Sequence, residues 1–413
     1  MATFFQNAYL RILVTYALGV MAAMTVSEAV TERGAIAHAF HLDGHGQVGL
    51  IMSLPSLMVA LGALLAGYTV DRFGDRVVLL IGAVIIVAGD LLVIAAPTFT
   101  LLLICRAITG VGYVLTAVAA VTLLIRITTG KQRTMAMALW STFVPASFLL
   151  PFLSAGLAEH FGDWRVAFLA HSVLTLLLAA VAQCCLPRRS AEEKIIFSRT
   201  RGLRDVLKSP LPWLLGISFG ADAFLQTGVI TTLAPWLAKS YGVDPLAVSR
   251  WNVVAMVCNG IGCLMVGALL NRGVRAMLIG ALGIVLTGIP ALVIFSLQLG
   301  LWPSLVASWV FTFGSGLLVG MWALAPVVAP SRDSIGATSG LITQLTLIGV
   351  FLGPPLFFHA LQNHTGHSLS LLVLAGLAVC LVGIPVWLRD PNHKPAAEHR
   401  APDGAGINKS SVN

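Results

Sequence analysis

Residues 67–76 read Gly67-Tyr68-Thr69-Val70-Asp71-Arg72-Phe73-Gly74-Asp75-Arg76. One long apolar run ends here and another begins directly after, so the segment is a short polar turn between them. Gly67 removes a side chain where helices pass closely. Gly74 permits the tight turn. Asp71 is placed to meet the positive N-terminus of a neighbouring helix. Arg72 and Arg76 can pair with carboxylates or rest among lipid headgroups.

The turn belongs to a chain of 413 residues, 57% hydrophobic and only 10% charged, with a mean hydropathy of +0.91. A water-soluble domain carries about 25% charged residues, so that class is excluded. One membrane crossing needs about 20 apolar residues, and twelve need roughly 240. Apolar runs of that length fall at 9–30, 47–70, 77–96, 100–125, 134–158, 166–186, 211–237, 249–270, 275–296, 303–326, 337–361 and 369–388. They predict an all-α polytopic membrane protein with twelve transmembrane helices, because a membrane barrel would show alternating segments of about ten residues instead. The first run lacks a basic leader and a small-residue cleavage site, and is read as a retained span.

Placing the N-terminus inside puts 20 of the 25 Lys and Arg residues in inner segments and four, Arg33, Arg165, Lys239 and Arg250, in outer loops. This positive-inside bias predicts both termini on the cytoplasmic side of a cell (inner) membrane. The net charge of +8 is therefore an orientation signal and not a nucleic-acid signature. Residues 187–210 form a basic linker between an N-terminal six-helix bundle, 1–186, and a C-terminal one, 211–388. The polar tail, 389–413, reads as disordered. The halves echo each other. Gly67, Asp71 and Arg72 recur as Gly267, Asn271 and Arg272; Gly110 and Gly112 as Gly314 and Gly316; and Pro151 as Pro355. Such pseudo-symmetric halves around a midplane site are the architecture of secondary transporters.

The 67–76 turn resembles the signature of the major facilitator superfamily, G-x-x-x-D-R-x-G-[RK]-[RK], matching it at Gly67, Asp71, Arg72, Gly74 and Arg76 and departing at Asp75, where the family has a base. The resemblance implies that these five residues latch the two halves at the inner face, and that breaking the latch favours the inward-open state. Leu102 to Gly112 is similar to the family's fourth-span motif, whose Arg, here Arg106, is tied to coupling in several proton-coupled members. Gly162-Asp163-Trp164-Arg165-Val166-Ala167-Phe168 looks like the usual fifth-to-sixth loop. The fifth span, Val144-Pro145 through Pro151 to Gly156, keeps prolines but lacks the glycine run of antiporting members.

Charges inside apolar runs are functional candidates, because their burial is expensive. Asp90 and Arg106 lie eight residues either side of Thr98, the expected apex of the turn between them. Equal depth allows an ion pair, with a coupling or substrate role as the alternative. Asp222 lies about 16 Å into the seventh span, near the bilayer centre, where burial disfavours its charged form. Gln226 follows one turn on. Proton coupling through Asp222 or substrate contact is one reading, and a protonated carboxyl bonded to a neighbour is the other. Tyr16, Asn252, Trp322 and Gln344 are candidates to line the cavity.

Glu28 reads as solvated near the outer end of the first span, and His171 and His359 as lone histidines near outer ends. His38, His41 and His45 read as a polar loop. None of the six cysteines, Cys105, Cys184, Cys185, Cys258, Cys263 and Cys380, has metal-ligand spacing, and all read as inert thiols. No metal or cofactor is implied. The phosphate-cradling loop, the nucleophile elbow and the zinc-protease motif are missing, which argues against an enzyme.

Together these features predict a monomeric secondary transporter, with lipid, protons and a small organic molecule or metabolite as its partners. The sparse intramembrane charge argues against a multiply charged substrate. The apolar spans lean to efflux, with uptake of a small organic anion by symport as the alternative. A non-transporting receptor or assembly factor on the same fold is a rival from another class. A membrane acyltransferase is a second rival, but it would need a paired nucleophile and base at one face.

Overall fold

The computed structural model describes residues 7–42, 45–148, 160–188, 202–362 and 366–389. The described residues are helical, and eleven of the helices are long and apolar enough to cross a membrane. In lipid every backbone group must bond within its own segment, which leaves helices as the open-chain solution.

The first four spans are α1 (Ala8–Ala39), α2 (His45–Phe73), α3 (Asp75–Ala95) and α4 (Phe99–Ile127). The fifth begins as α5 (Gly130–Trp140), breaks at Ser141 and Thr142, and is helical again over 143–148. The rest of the expected 134–158 run, with Pro151 and Gly156, lies outside the described residues. The sixth span is α6 (Arg165–Cys185). A short helix, α7 (Gly202–Lys208), leads into the second half; most of the expected linker, and the tail beyond Arg389, lie outside the described residues.

The seventh, eighth and ninth spans are α8 (Pro210–Tyr241), α9 (Pro245–Asn271) and α10 (Ala276–Leu292). The tenth runs as α11 (Leu301–Val319), a 3₁₀ segment at Gly320–Leu324 and α12 (Ala325–Val328). The eleventh is α13 (Ile335–Gln362). The twelfth joins α14 (Gly366–Cys380) through a 3₁₀ turn to α15 (Ile384–Trp387). These bounds follow the apolar runs within a few residues, with one notable difference. The first helix does not stop near residue 30 but continues to Ala39, so His38 is in its last turn and not in a loop. His38 and His41 are exposed, and the side chain of His45 is outside the described set.

The internal repeat is built into the packing. A Cβ on Gly67 would collide with the Gly336 backbone, and one on Gly267 would meet Ala138 and Met135. The same glycine thus seats the second span on the eleventh and the eighth span on the fifth, so that helices from opposite halves touch. Within each half the third and fourth spans meet at Gly82 and Gly112, and the ninth and tenth at Gly283 and Gly314. Gly112 therefore answers Gly314, two residues out of step with the pairing expected from sequence.

The hydrophobic core divides unevenly. One cluster runs through both halves, including Val70, Ala117 and Met137 with Leu215, Leu270, Leu324 and Ile342. Two further clusters belong to one half each: Ile36, Ile51, Trp164 and Phe168 in the first, and Leu233, Trp236, Phe295 and Phe357 in the second. Among the described residues, hydrogen bonds join the halves near the middle of the spans, Ser141 to Val319, Cys263 to Ser141 and Leu64 N to Gln344 Oε1, and at the face from which the linker leaves, Asp71 to the start of α13 and Asn271 to Lys131. These bonds close the linker face.

Forcing a branched side chain into that seam costs about 1–3 kcal/mol of overpacking. Gly67→Val is expected to open the linker face. In a background free of native cysteines, Ala63→Cys, fully buried as alanine, should then react roughly tenfold faster with a membrane-impermeant maleimide. Unchanged labelling would contradict this seam.

Candidate functional site: a latch, two buried charge centres and a broken-helix crossing

The 67–76 turn is set by local geometry. Gly74 has φ 100°, a conformation that side chains resist, and it turns the chain sharply between α2 and α3. Asp71, at the end of α2, accepts hydrogen bonds from Gly336 N at 2.9 Å and Ala337 N at 2.8 Å. These are free donors of the first turn of α13, where a helix favours negative charge. The expected helix partner of Asp71 is therefore the eleventh span, across the interface.

Arg76 donates to the Gln183 carbonyl at 2.5 Å and to Gln183 Oε1 at 3.0 Å, near the end of α6. Arg72 is exposed, reaching Tyr68 Oη at 3.4 Å and lying over the Phe73 ring with its guanidinium 5.5 Å from the centroid. Asp75, which departs from the signature, is buried and paired with Arg126 of the fourth span at 2.6 Å. Sequence reading misses this pair, although a basic residue at the end of the fourth span is its signal.

Four ionisable side chains converge in the far part of the first half. Arg106 is fully buried. Its NH1 lies 2.6 Å from Glu28 Oε1 and 3.7 Å from Asp90 Oδ1. Its Nε donates to the Ile51 carbonyl at 3.1 Å, and its NH2 to the Thr25 carbonyl. Phe168 lies beneath, with its ring centroid 5.4 Å from the guanidinium. His171 Nδ1 is 2.7 Å from Asp90 Oδ2 and 2.8 Å from Glu28 Oε2, and its Nε2 is 2.9 Å from the Met21 carbonyl.

Thr98 caps α4 as expected, and Asp90 and Arg106 do meet. Three expectations are corrected. Glu28 is not solvated but fully buried, and it is the nearer partner of Arg106. His171 is not alone but bonded on both ring nitrogens. Intramembrane charge is concentrated here and not sparse, although Asp90 Oδ1 has no hydrogen-bond partner among the described residues. Glu28, Asp90 and His171 also offer ligand atoms within 4.8 Å of one another, but the Arg106 cation is already seated against them.

The second half holds a plainer centre. Asp222 is fully buried. Its Oδ2 accepts from Ser315 Oγ of the tenth span at 2.9 Å, and its Oδ1 has no hydrogen-bond partner among the described residues. Gln226, one turn on, is half-buried.

Between the two centres, broken helices meet. Pro145 has no N–H to return to Ser141, so that carbonyl is released and instead faces the Cys263 thiol at 3.6 Å. Ser141 Oγ bonds back to Met137 O at 3.0 Å and across to Val319 O at 3.2 Å, where the tenth span tightens into its 3₁₀ segment. Thr142 Oγ1 is 2.7 Å from Tyr16 Oη of the first span. Of the cavity candidates, Tyr16 joins this crossing. Trp322 lies in the 3₁₀ segment, buried, with Phe219 at 5.6 Å. Gln344 bonds the Leu64 amide at 3.1 Å. Asn252 is half-buried toward the far end of the eighth span. Such discontinuities at repeat interfaces expose backbone groups that regular helices hide.

The sequence profile of the Major Facilitator Superfamily matches residues 9–354. The chain belongs to this family. Among its relatives is a 3-(3-hydroxy-phenyl)propionate transporter of Escherichia coli (strain K12), 26% identical over 382 residues, which cover 90% of this chain and 92% of the relative. The galactose-proton symporter of the same strain is 28% identical over 130 residues, 32% of this chain and 28% of that protein. The fold is shared with the crystal structure of the E. coli fucose:proton symporter FucP, with a TM-score of 0.72 at 14% identity over 92% of this chain and 99% of that one. The protein is thus a multi-pass membrane transporter of small substrates, and the relatives it matches are transporters, not enzymes.

Two outcomes follow for this superfamily member. Asp71→Asn removes the charge that closes the linker face, a change of about 1–2 kcal/mol, so accessibility of engineered cysteines there should rise roughly five- to thirty-fold; an unchanged labelling pattern would count against the latch. Arg106→Gln strands two buried carboxylates, at a cost of about 3–5 kcal/mol. The purified variant should unfold at markedly lower temperature in detergent, and wild-type stability would contradict the assigned pairing.

Proposed function

We propose that the protein takes up a small organic acid by proton symport, working by alternating access, and that the linker face is cytoplasmic. The observation that carries the coupling is the place of Asp222. Its partner Ser315 sits one turn before Val319, the residue that accepts the Ser141 bond between the halves. Protonation at Asp222 would decide whether Ser315 serves an anion or an acid, one helical turn from the contact that must break during transport. Gaining a proton also removes a buried charge, which lowers the cost of moving that region.

The substrate class follows from chemistry and kinship. Two buried centres of charge make a proton-driven cycle natural, and one relative is named for a phenylpropionate. The missing glycine run of the fifth span argues against antiport, so uptake replaces the lean toward efflux. With the basic segments cytoplasmic, the closed linker face is the inner one. The Gly67, Asp71, Arg72, Gly74 and Arg76 latch then holds the inner gate, and Tyr16, Gln226, Asn252, Trp322 and Gln344 stand along the path. The reading requires only one copy of the chain.

Flux into proteoliposomes tests this, with 3-(3-hydroxyphenyl)propionate as probe under an imposed proton gradient. Wild type should accumulate the probe, and Asp222→Asn should abolish accumulation while expression and thermal stability persist. Normal concentrative uptake by that variant would refute the role of Asp222. Binding of the probe without flux in wild type would point to a receptor instead.

A further inference from the structure

The hydroxyls at the broken-helix crossing have a fixed direction of donation. Each carries one hydrogen, and a carbonyl oxygen can only accept. Thr142 Oγ1 lies 2.7 Å from the Leu139 carbonyl, so its hydrogen points there. The 2.7 Å contact between Thr142 Oγ1 and Tyr16 Oη must then use the hydrogen of Tyr16. Ser141 Oγ faces two carbonyls, Met137 at 3.0 Å and Val319 at 3.2 Å, and its hydrogen is held between them. The Cys263 thiol is turned to the Ser141 carbonyl. Each of these hydrogens is committed to a protein oxygen. What Tyr16 Oη and Ser141 Oγ still offer is lone pairs. Among the described residues no group donates to them, and no Lys or Arg is bonded at the crossing.

We infer that the crossing recognises a hydrogen-bond donor on the substrate, a hydroxyl carried on an aromatic ring, and that Tyr16 is the accepting residue. A carboxylate brings only acceptors. It would meet the lone pairs of Tyr16, and could be bonded only by breaking the contact between Tyr16 and Thr142. A hydroxyl gains a bond with nothing broken. The inference rests on the organic-acid reading above and adds that the hydroxyl of that acid, and not its carboxylate, is read here.

The ring is called for by the walls of the crossing. Trp140 and Phe143 flank the two hydroxyl residues of the fifth span, and their rings stack 4.4 Å apart and 13° from parallel. Trp140 seats against the first span at Gly19, where a Cβ would strike its ring, one turn from Tyr16. Phe143 and Tyr16 are both half-buried and pack in one cluster with Met21 and Met24. Across the seam Phe219 and Trp322 meet at 5.6 Å, and Trp322 lies one turn beyond Val319. Aromatic pairs on both sides of a polar centre favour a further ring between them.

The direction of donation is measured without substrate. The full chain, labelled with ring-¹³C tyrosine, is placed in lipid nanodiscs, and infrared difference against Tyr16→Phe isolates the phenol C–O stretch of Tyr16. That band separates a phenol that donates from one that only accepts. A donating phenol is expected, and one that only accepts overturns the inference.

The choice of ligand is measured by binding to the purified protein. The probes are 3-(3-hydroxyphenyl)propionate, its methoxy ether, 3-phenylpropionate and the neutral 3-(3-hydroxyphenyl)propanamide. The ether keeps the oxygen and loses the donated hydrogen. It and 3-phenylpropionate should each bind wild type about tenfold more weakly than the parent acid, the scale of one hydrogen bond. Tyr16→Phe should erase the gap between parent and ether. Thr142→Val frees the Tyr16 hydrogen to meet the ether oxygen and should narrow the gap, a response that a merely structural tyrosine would not give. An unchanged gap in either variant overturns the inference, and the wild-type comparison judges it even where a variant fails to fold. If the acids bind equally with and without the hydroxyl, donor recognition fails while the organic-acid reading stands. If the amide binds and the acids do not, the acid reading fails while donor recognition stands. Binding of none of the four overturns the inference.

Discussion

A carboxylate, Asp71, set against the first free amides of the eleventh span makes a charged contact between the two halves of a membrane protein. Lipid offers no hydrophobic force to press helices against one another, so contacts between the halves depend on close packing and on a few polar bonds. The charge on Asp71 supplies the strongest of these. Its counterpart in the repeat, Asn271, is neutral and donates to the Lys131 carbonyl at 3.2 Å instead of accepting from a helix N-terminus. The two seams that close the linker face are thus alike in shape and unequal in strength. A closed face held mainly by one charge-assisted contact can be opened at a cost of a few kcal/mol, which is the range that ligand binding can offset.

Backbone symmetry and chemical asymmetry run together through the molecule. Glycines at matching positions seat equivalent helices at equivalent crossings in both halves. The ionisable groups do not repeat. The first half encloses four that lie against one another, and the second encloses Asp222 with one serine hydroxyl. Buried ions do little for stability, because desolvation consumes most of the pairing energy.

Much of this was legible in the residues alone. Span positions follow from apolar length, and the turn at Gly74 and the helix-end contact of Asp71 from local residue chemistry, whereas the latch role is what the family resemblance implies. Glu28 and His171 were misread for the same physical reason: depth along a helix can be counted from a turn, but the direction a side chain faces cannot. Glu28 lies near the end of its apolar run, yet the helix continues two and a half turns to Ala39 and carries the acid inward against Arg106. Asp75 was visible as a departure from the signature, but its partner Arg126 is on another helix, and only packing brings them together.

The broken fifth span shows how a local rule acquires a global use. Pro145 cannot return a hydrogen bond to Ser141, and the Ser141 and Thr142 hydroxyls bond backward to Met137 and Leu139 carbonyls. The helix therefore gives way at these two residues. That place is also where the fifth span bonds to the first, eighth and tenth, through Tyr16, Cys263 and Val319. Each of these contacts is a neutral hydrogen bond or a weak thiol contact, worth about 1 kcal/mol. The centre of the molecule is held by bonds that can be exchanged for bonds to a small polar ligand, whereas the latch at the face is not open to such competition. In the proposed symport cycle, a substrate entering opposite the linker face reaches the weak contacts first, and loosening them leaves the Asp71 contact as the remaining barrier to opening that face.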